Sequence, residues 1–274
     1  MAKTTQFQHL VSQIHQLKGA QSFQTQINQF VQILSETHFA DSVTPEEIEL
    51  LKSEKIYFSE KGLQFSASAS RLDSEIYFDF DNDVSYARSN PRGKNDLLLK
   101  AIGFKNQPLR VLDLTAGLLR DAIFMAQAGC QVTSLERDFL LYLCLSWGIM
   151  KSESPCVQSL NLLHRTAQEF LKKQSLLHYD VIYYDPMYPE TKSSALPKKE
   201  IQFLRDHIGE DKDRDEMIQF ILASNIRSRI VFKRHPGEKN KIKKEKPLAV
   251  TNQQIVLFEG KSVVFEVYIS KPKI

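Results

Sequence analysis

Along residues 5 to 38 apolar side chains recur every three or four positions among glutamines: Leu10, Ile14 and Leu17, then Ile27, Phe30, Val31 and Leu34. Residues three and four apart share one helix face, so this spacing predicts two amphipathic helices. "TPEE" at 44 to 47 predicts another short helix, because Thr44 and Glu47 stand at capping-box spacing. "KIYFSEKGLQFSAS" and "EIYFDF" are rich in β-branched and aromatic residues around a turn, and predict short strands.

After "SNPRGKND" the pattern becomes regular. "RVLDL" (110 to 114) is a buried-strand run and "RDAIFMAQA" a helix; "QVTSLE" is a strand and "FLLYLCLSWGIM" a helix; "NLLHRT" is a strand and "AQEFLKKQ" a helix; "YDVIYYD" is a fourth strand. Strands that alternate with helices are joined by crossovers, which produce a parallel sheet covered on both faces. Two further helices are expected over 200 to 226, a fifth strand at "SRIVFKRH", and a hairpin in "QQIVLFEGKSVVFEVYIS" that turns at Glu259 to Ser262. The fold class expected is α/β, a Rossmann-like, mostly parallel sheet ending in an antiparallel hairpin, which is the shape of a class I methyltransferase. The change of pattern near residue 90 divides the chain into an α+β N-terminal extension, 1–90, and a main domain, 91–274.

Composition narrows the class. With 274 residues, 42% hydrophobic and 25% charged, the chain is long enough for one substantial core, and a net charge of +3 is too small to argue a nucleic-acid partner by itself. Cys130, Cys144 and Cys156 lack CxxC spacing and lie in or beside apolar runs, so they read as reduced, buried thiols in a cytoplasmic protein. No signal-like or membrane-length apolar run is visible, and His164 and His235 have no metal-spaced partners in sequence, so neither a membrane nor a metal is expected.

"VLDLTAGLLRDA" carries the cofactor question. Asp113 ends the first strand of the main domain, Gly117 lies in the turn, and Glu136 ends the next strand nineteen positions later, where an acid can accept both hydroxyls of a bound ribose. A dinucleotide fingerprint needs glycines at 117, 119 and 122; Leu119 and Ala122 stand there instead. A pyrophosphate must approach the backbone at this turn, and a Leu side chain would obstruct it. S-adenosylmethionine carries no phosphate, and its amino-acid end suits an acid such as Asp113 and a base such as Arg120.

"DVIYYDPMYPE" (180 to 190) contains "DPMYP", which resembles the D/N-P-P-Y/F stretch that follows the fourth strand in methyltransferases acting on exocyclic amines of bases, with Met187 in the third place, and the resemblance implies the chemistry. The exocyclic amine of a nucleobase is a poor nucleophile because its lone pair is delocalised into the ring. Hydrogen bonds from that amine to the Asp185 carboxylate and the Pro186 carbonyl would draw the pair back to nitrogen. Tyr188 would stack on the base. Displacement on a sulfonium methyl then depends mainly on positioning. An isolated Asp-Pro-Met-Tyr more commonly just makes a turn; its place after the fourth strand of this array favours function.

"LDLTAGLLRDAIFMAQAGCQVTSLERD", "LLHRT", "YYDPMYPETKSSALPKKE" and "RIVFKRHP" resemble the RsmJ family of bacterial 16S ribosomal RNA guanine-N2 methyltransferases, over about residues 75 to 270. The resemblance implies S-adenosylmethionine as cofactor and small-subunit ribosomal RNA as partner. By the same resemblance Arg120 and Asp121 contact the cofactor after the glycine turn, Glu136 and Arg137 form an acid-base pair at the second strand, Thr166 and Ala167 stand where the family has two serines, and Asp185 is the strand-four aspartate. Leu119 in place of glycine and Ala167 in place of a hydroxyl depart from the pattern. "KSSALPKKE" (192 to 200) and "FKRHPGEKNKIKKEK" (232 to 246) place basic residues at the carboxyl edge of the sheet, where phosphates flanking a target could be held, although lysine-rich loops are most often only solvated. Since a stacked base cannot reach such a site, flipping or prior unpairing is required. Three other readings stay open: transfer to another planar amine, such as adenine N6 or a protein glutamine; a non-catalytic RNA-binding protein that retains the fold; and, weakest, an NAD-dependent oxidoreductase.

Overall fold

The computed structural model describes residues 2–37, 39, 42–53, 55–66, 75–81, 96–173, 176–187, 204, 207–209, 211, 213–224, 226–238 and 253–270. The boundary expected near residue 90, Tyr188, the basic stretch 192 to 200 and most of the one at 232 to 246 lie outside them.

The glutamine-rich start forms α1 (Ala2–Gln16) and α2 (Gln24–Glu36), which bury Leu10, Ile14, Ile27, Phe30 and Leu34 of the stripe read from sequence; Leu17 is buried just past the end of α1, and Val31 is only half-buried. α3 (Pro45–Glu49) begins with the expected capping box, the Thr44 hydroxyl accepting from the Glu47 backbone while the Glu47 side chain accepts from the Thr44 backbone. β1 (Ile56–Ser59) and β2 (Gly62–Ser66) make an antiparallel hairpin, and β3 (Glu75–Ile76) adds a short third strand. "EIYFDF" therefore contributes only two strand residues; Phe78 and Phe80 are buried beyond its end.

From α4 (Leu97–Ile102) onward the alternation follows the sequence reading. β4 (Arg110–Asp113), α5 (Arg120–Gln127), β5 (Gln131–Glu136), α6 (Phe139–Lys151), α7 (Pro155–Gln158), β6 (Asn161–His164), α8 (Ala167–Lys173), β7 (Val181–Tyr184), α9 (Arg214–Ala223) and β8 (Arg229–Arg234) lead into the hairpin of β9 (Gln253–Glu259) and β10 (Val264–Ser270). The seven strands lie in the order β6-β5-β4-β7-β8-β10-β9. The first five are parallel, and β10 pairs antiparallel with both β8 and β9. Strand order reverses between β4 and β7, so the connections leave their carboxyl ends in opposite directions and open a crevice there.

α6 explains how the N-terminal residues attach. Phe139 through Gly148 are all buried, and a helix apolar on every side must be covered on every side. The sheet covers one face and the N-terminal residues the other: Trp147 meets the rings of Phe23, Phe30 and Phe58 at 6.3, 5.4 and 5.0 Å. The approach is close enough that a Cβ on Gly148 would lie 2.7 Å from the Phe78 Cβ. One continuous apolar cluster runs from Leu10 to Val267. Cys130 and Cys144 are buried as expected, whereas Cys156 is only half-buried, its Sγ 3.1 Å from the Ser154 hydroxyl. Among the described residues no helix is long and apolar enough to cross a membrane.

Candidate active site

The crevice has two lobes that share Thr115, Gly117, Asp185, Met187 and Leu204. The first runs over the ends of β4, β5 and β6 and is lined by Glu136, Arg137, Thr166 and Ala167. The second runs toward β8 and is lined by Asp113, Arg120, Asp121, Pro186, Lys233 and His235. Apart from Tyr188, every residue given a catalytic or cofactor-binding role from sequence borders one lobe or both.

The turn after β4 is built by Asp113. Its carboxylate is buried and accepts from the Thr115 backbone N–H at 3.1 Å and from the Ser134 hydroxyl at 3.1 Å. Burial pushes this carboxyl well above the usual carboxylate range, against those two hydrogen bonds. Gly117 takes φ 52°, and a Cβ there would meet nothing within 4 Å, so the turn faces open space.

Leu119 corrects one expectation. It caps α5 with φ 58°, a left-handed conformation that glycine adopts without cost, yet it is fully buried and lines neither lobe of the crevice. It therefore obstructs nothing, and the missing second glycine does not exclude a pyrophosphate on steric grounds. The left-handed backbone costs a leucine ~1–2 kcal/mol, whereas losing a buried leucine side chain and leaving its cavity costs ~2–5 kcal/mol. Leu119→Gly should therefore lower the free energy of unfolding by a net ~1–3 kcal/mol, read as a lower urea midpoint. A raised midpoint would mean that backbone strain dominates at this position.

Glu136 ends β5 with its carboxyl almost fully buried. One oxygen, Oε1, accepts from the Asp138 backbone N–H at 2.8 Å, and the Arg137 backbone N–H also hydrogen-bonds the carboxylate. Burial raises this carboxyl to about 8. Asp138 in turn caps α6, accepting from Leu141 N–H at 2.8 Å, with His207 Nε2 3.1 Å from its other oxygen. Arg137 pairs with Asp211 and lies 3.6 Å from Asp213. Asp211 also accepts from the Met187 backbone N–H at 2.6 Å, so it ties the end of β5 to the segment after β7. The Thr166 hydroxyl is engaged with Glu169, donating to its carboxylate at 2.9 Å and accepting from its N–H at 3.2 Å, which fixes the start of α8.

Asp185 stands where β7 ends, its backbone N–H donating to the Thr115 hydroxyl at 2.9 Å. Its Oδ2 accepts from the Lys233 ammonium at 2.6 Å, and the same ammonium donates to Asp121 at 2.7 Å. The Tyr183 hydroxyl donates to Asp121 at 2.6 Å. About 30% of the Asp185 side chain remains exposed to the crevice. Sequence reasoning missed Lys233, Tyr183 and Asp211. The signal for Lys233 was non-local: β7 and β8 pair with Tyr184 opposite Phe232, so one step further sets Asp185 beside Lys233.

The residues present fit S-adenosylmethionine. Glu136 places a buried carboxyl at the wall of the first lobe, suited to accept from ribose hydroxyls, and Gly117 leaves room at the turn. Comparison with known proteins agrees. Residues 46–270 match the family described as "Putative SAM-dependent methyltransferase". The Ribosomal RNA small subunit methyltransferase J of Coxiella burnetii is 35% identical over 227 residues, 79% of this chain and 84% of the relative. Its namesake from Bdellovibrio bacteriovorus is 38% identical over 161 residues, 58% of this chain and 64% of the relative. A crystal structure of a SAM-dependent methyltransferase from Neisseria gonorrhoeae superposes with a TM-score of 0.54 at 23% identity, covering 85% of this chain and 95% of that one, and shares the fold.

Proposed function

Because this chain belongs to the SAM-dependent methyltransferase family, and within it to the Ribosomal RNA small subunit methyltransferase J family, we propose that it methylates the exocyclic N2 of a guanine in small-subunit ribosomal RNA. The observation that carries this reading is the placement of Asp185 at the junction of the two lobes, with one carboxylate oxygen held by Lys233 and no described residue hydrogen-bonded to the other. When bound, S-adenosylmethionine supplies an electrophilic methyl group on a sulfonium sulfur.

The chain's own residues do the rest. Glu136 holds the ribose in the first lobe, Ala167 lies against the adenosine, and Arg137 and Thr166 shape the lobe's rim. Asp113 and Gly117 fix the turn on which the amino-acid end rests, with Arg120 and Asp121 at the start of α5 facing its charges. At the junction Asp185 Oδ1 and the Pro186 carbonyl accept the two N–H groups of the target amine. Those bonds localise the nitrogen lone pair and aim it along the line of displacement. On gaining a methyl group the amine would have to shed a proton, and Asp185 would be the acceptor beside it. Tyr188, four residues past the end of β7 in the sequence, is the ring assigned to stack on the base. An unpaired or flipped nucleotide is required, since only a splayed base reaches the junction. An enzyme of ribosomal RNA works in the cytoplasm.

Tritiated methyl transfer to small ribosomal subunits from a strain that lacks the gene, followed by nucleoside analysis, tests the reading. Label in N2-methylguanosine is expected. Label in N6-methyladenosine, or in ribosomal protein, would move the target to another planar amine, whereas cofactor binding without transfer to any RNA would leave only a binding protein.

A further inference from the structure

Asp185 sits among like charges. Asp113 at the end of β4 and Asp121 at the start of α5 face it across the second lobe, and Asp211 lies on the other side of Met187. Burial together with Asp121 and Asp211 raises its carboxyl, and the influence that opposes them is the ammonium of Lys233. The other charged groups around it are engaged elsewhere or are more distant. Arg137 pairs with Asp211, Arg234 pairs with Glu266 at 2.7 Å, and Arg120 and His235 line the same lobe without a described bond to Asp185. Tyr183, on β7 itself, gives its hydroxyl to Asp121.

Lys233 is anchored as well as charged. It projects from β8, the strand paired with β7, and is held between two carboxylates on different elements at 2.6 and 2.7 Å. Two carboxylates therefore fix its position: Asp121 from α5, itself held by the Tyr183 hydroxyl, and Asp185. Because Oδ2 of Asp185 is the oxygen it holds, the plane of that carboxylate is set and Oδ1 is left for a ligand.

We propose that Lys233 is the positioning residue of the methyl-transfer site: its ammonium grips Asp185 Oδ2, which orients the carboxylate so that Oδ1 meets the target amine and keeps the group ionised among its acidic neighbours. This rests on the reading of Asp185 given above. Lys233 touches neither the target nor the reacting atoms and acts through Asp185 alone. Asp121 sets how much of the ammonium's charge Asp185 receives, because the two carboxylates share one cation.

Two variants with opposite expected signs test this. Turnover is followed against pH with small ribosomal subunits from the gene-deleted strain and with S-adenosylmethionine saturating, so that changes in cofactor binding do not enter. Lys233→Met removes the cation and should move the acid limb of kcat up by about one pH unit or more, as loss of a charge in contact with a carboxylate does, with much of the rate recovered at high pH. Asp121→Asn leaves the ammonium to Asp185 alone and should move the limb down. Should Lys233→Met fail to melt cooperatively, Lys233→Gln decides in its place by the same upward shift, because Asp121→Asn also relieves the direct repulsion between the two carboxylates. A uniform loss of rate at every pH in Lys233→Met, or an unshifted or raised limb in Asp121→Asn, overturns the inference. Full turnover by Asp185→Ala would instead overturn the reading of the site, so the two failures are distinguishable.

Discussion

Asp185→Ala should retain S-adenosylmethionine binding and the fold while losing methyl transfer to ribosomal RNA by about three orders of magnitude, the middle of the range for a lost acid-base group. The fold survives because Asp185 contributes to packing mainly through its backbone, whose N–H donates to Thr115. Its side chain is partly exposed, and Lys233, the cation left behind, still has Asp121 at 2.7 Å and so is not stranded. Breaking a buried pair is expensive when the remaining charge has no partner, and here it has one. The catalytic loss is large because the carboxylate acts at the reacting nitrogen, where only interactions that strengthen in the transition state change kcat. Asp185→Asn separates the two parts of its role: an amide oxygen still accepts a hydrogen bond but takes no proton. It should therefore transfer more slowly than wild type and faster than the alanine variant. Single-turnover transfer together with calorimetric cofactor binding measures both quantities. A variant that lost cofactor affinity in proportion to rate would place Asp185 in cofactor binding rather than at the acceptor.

The parts of this molecule written in local patterns were legible in the sequence. The strands β4 to β8 are short apolar runs punctuated by turns, and the helices between them show helical periodicity, so the parallel sheet follows from crossover geometry. The Thr44 capping box and the hairpin of β9 and β10 are equally local. What sequence could not give was pairing between distant segments. Lys233 reads as one lysine in "FKRHP" until the register of β7 and β8 sets it beside Asp185. Asp211, 74 residues from Arg137, carries no pattern that links them. Leu119 was misjudged for the same reason: a side chain in a loop could point to the crevice or the core, and only the packing around α5 decides. The all-apolar α6 was a local clue left unused, since a helix apolar on every face predicts a second layer over it, and the N-terminal residues supply that layer.

Cofactor affinity should rise with pH through the neutral range, and Glu136 should be the cause. Without ligand its carboxyl titrates near 8 because burial disfavours the charged form, so at pH 6 it is mostly protonated. Hydroxyl donors from a bound ribose favour the ionised form, so binding must release a proton wherever the free protein still carries one. Affinity should then increase toward tenfold per pH unit, about 1.4 kcal/mol, as pH rises from 6 and level off above about 8. The sign for stability is the reverse. A carboxyl whose folded value lies above its unfolded value near 4.5 stabilises the ligand-free fold fully below that value, and the contribution is lost as pH rises through about 8. Glu136→Gln, neutral at every pH, should flatten both dependences and bind cofactor with one weak, pH-independent affinity. Titration calorimetry in two buffers of different ionisation enthalpy counts the released proton directly. If wild-type protein binds S-adenosylmethionine equally well at pH 6 and pH 8 and releases none, then the ribose is not held by an ionised Glu136, and the first lobe must hold the cofactor by Arg137, Thr166 and its apolar walls instead.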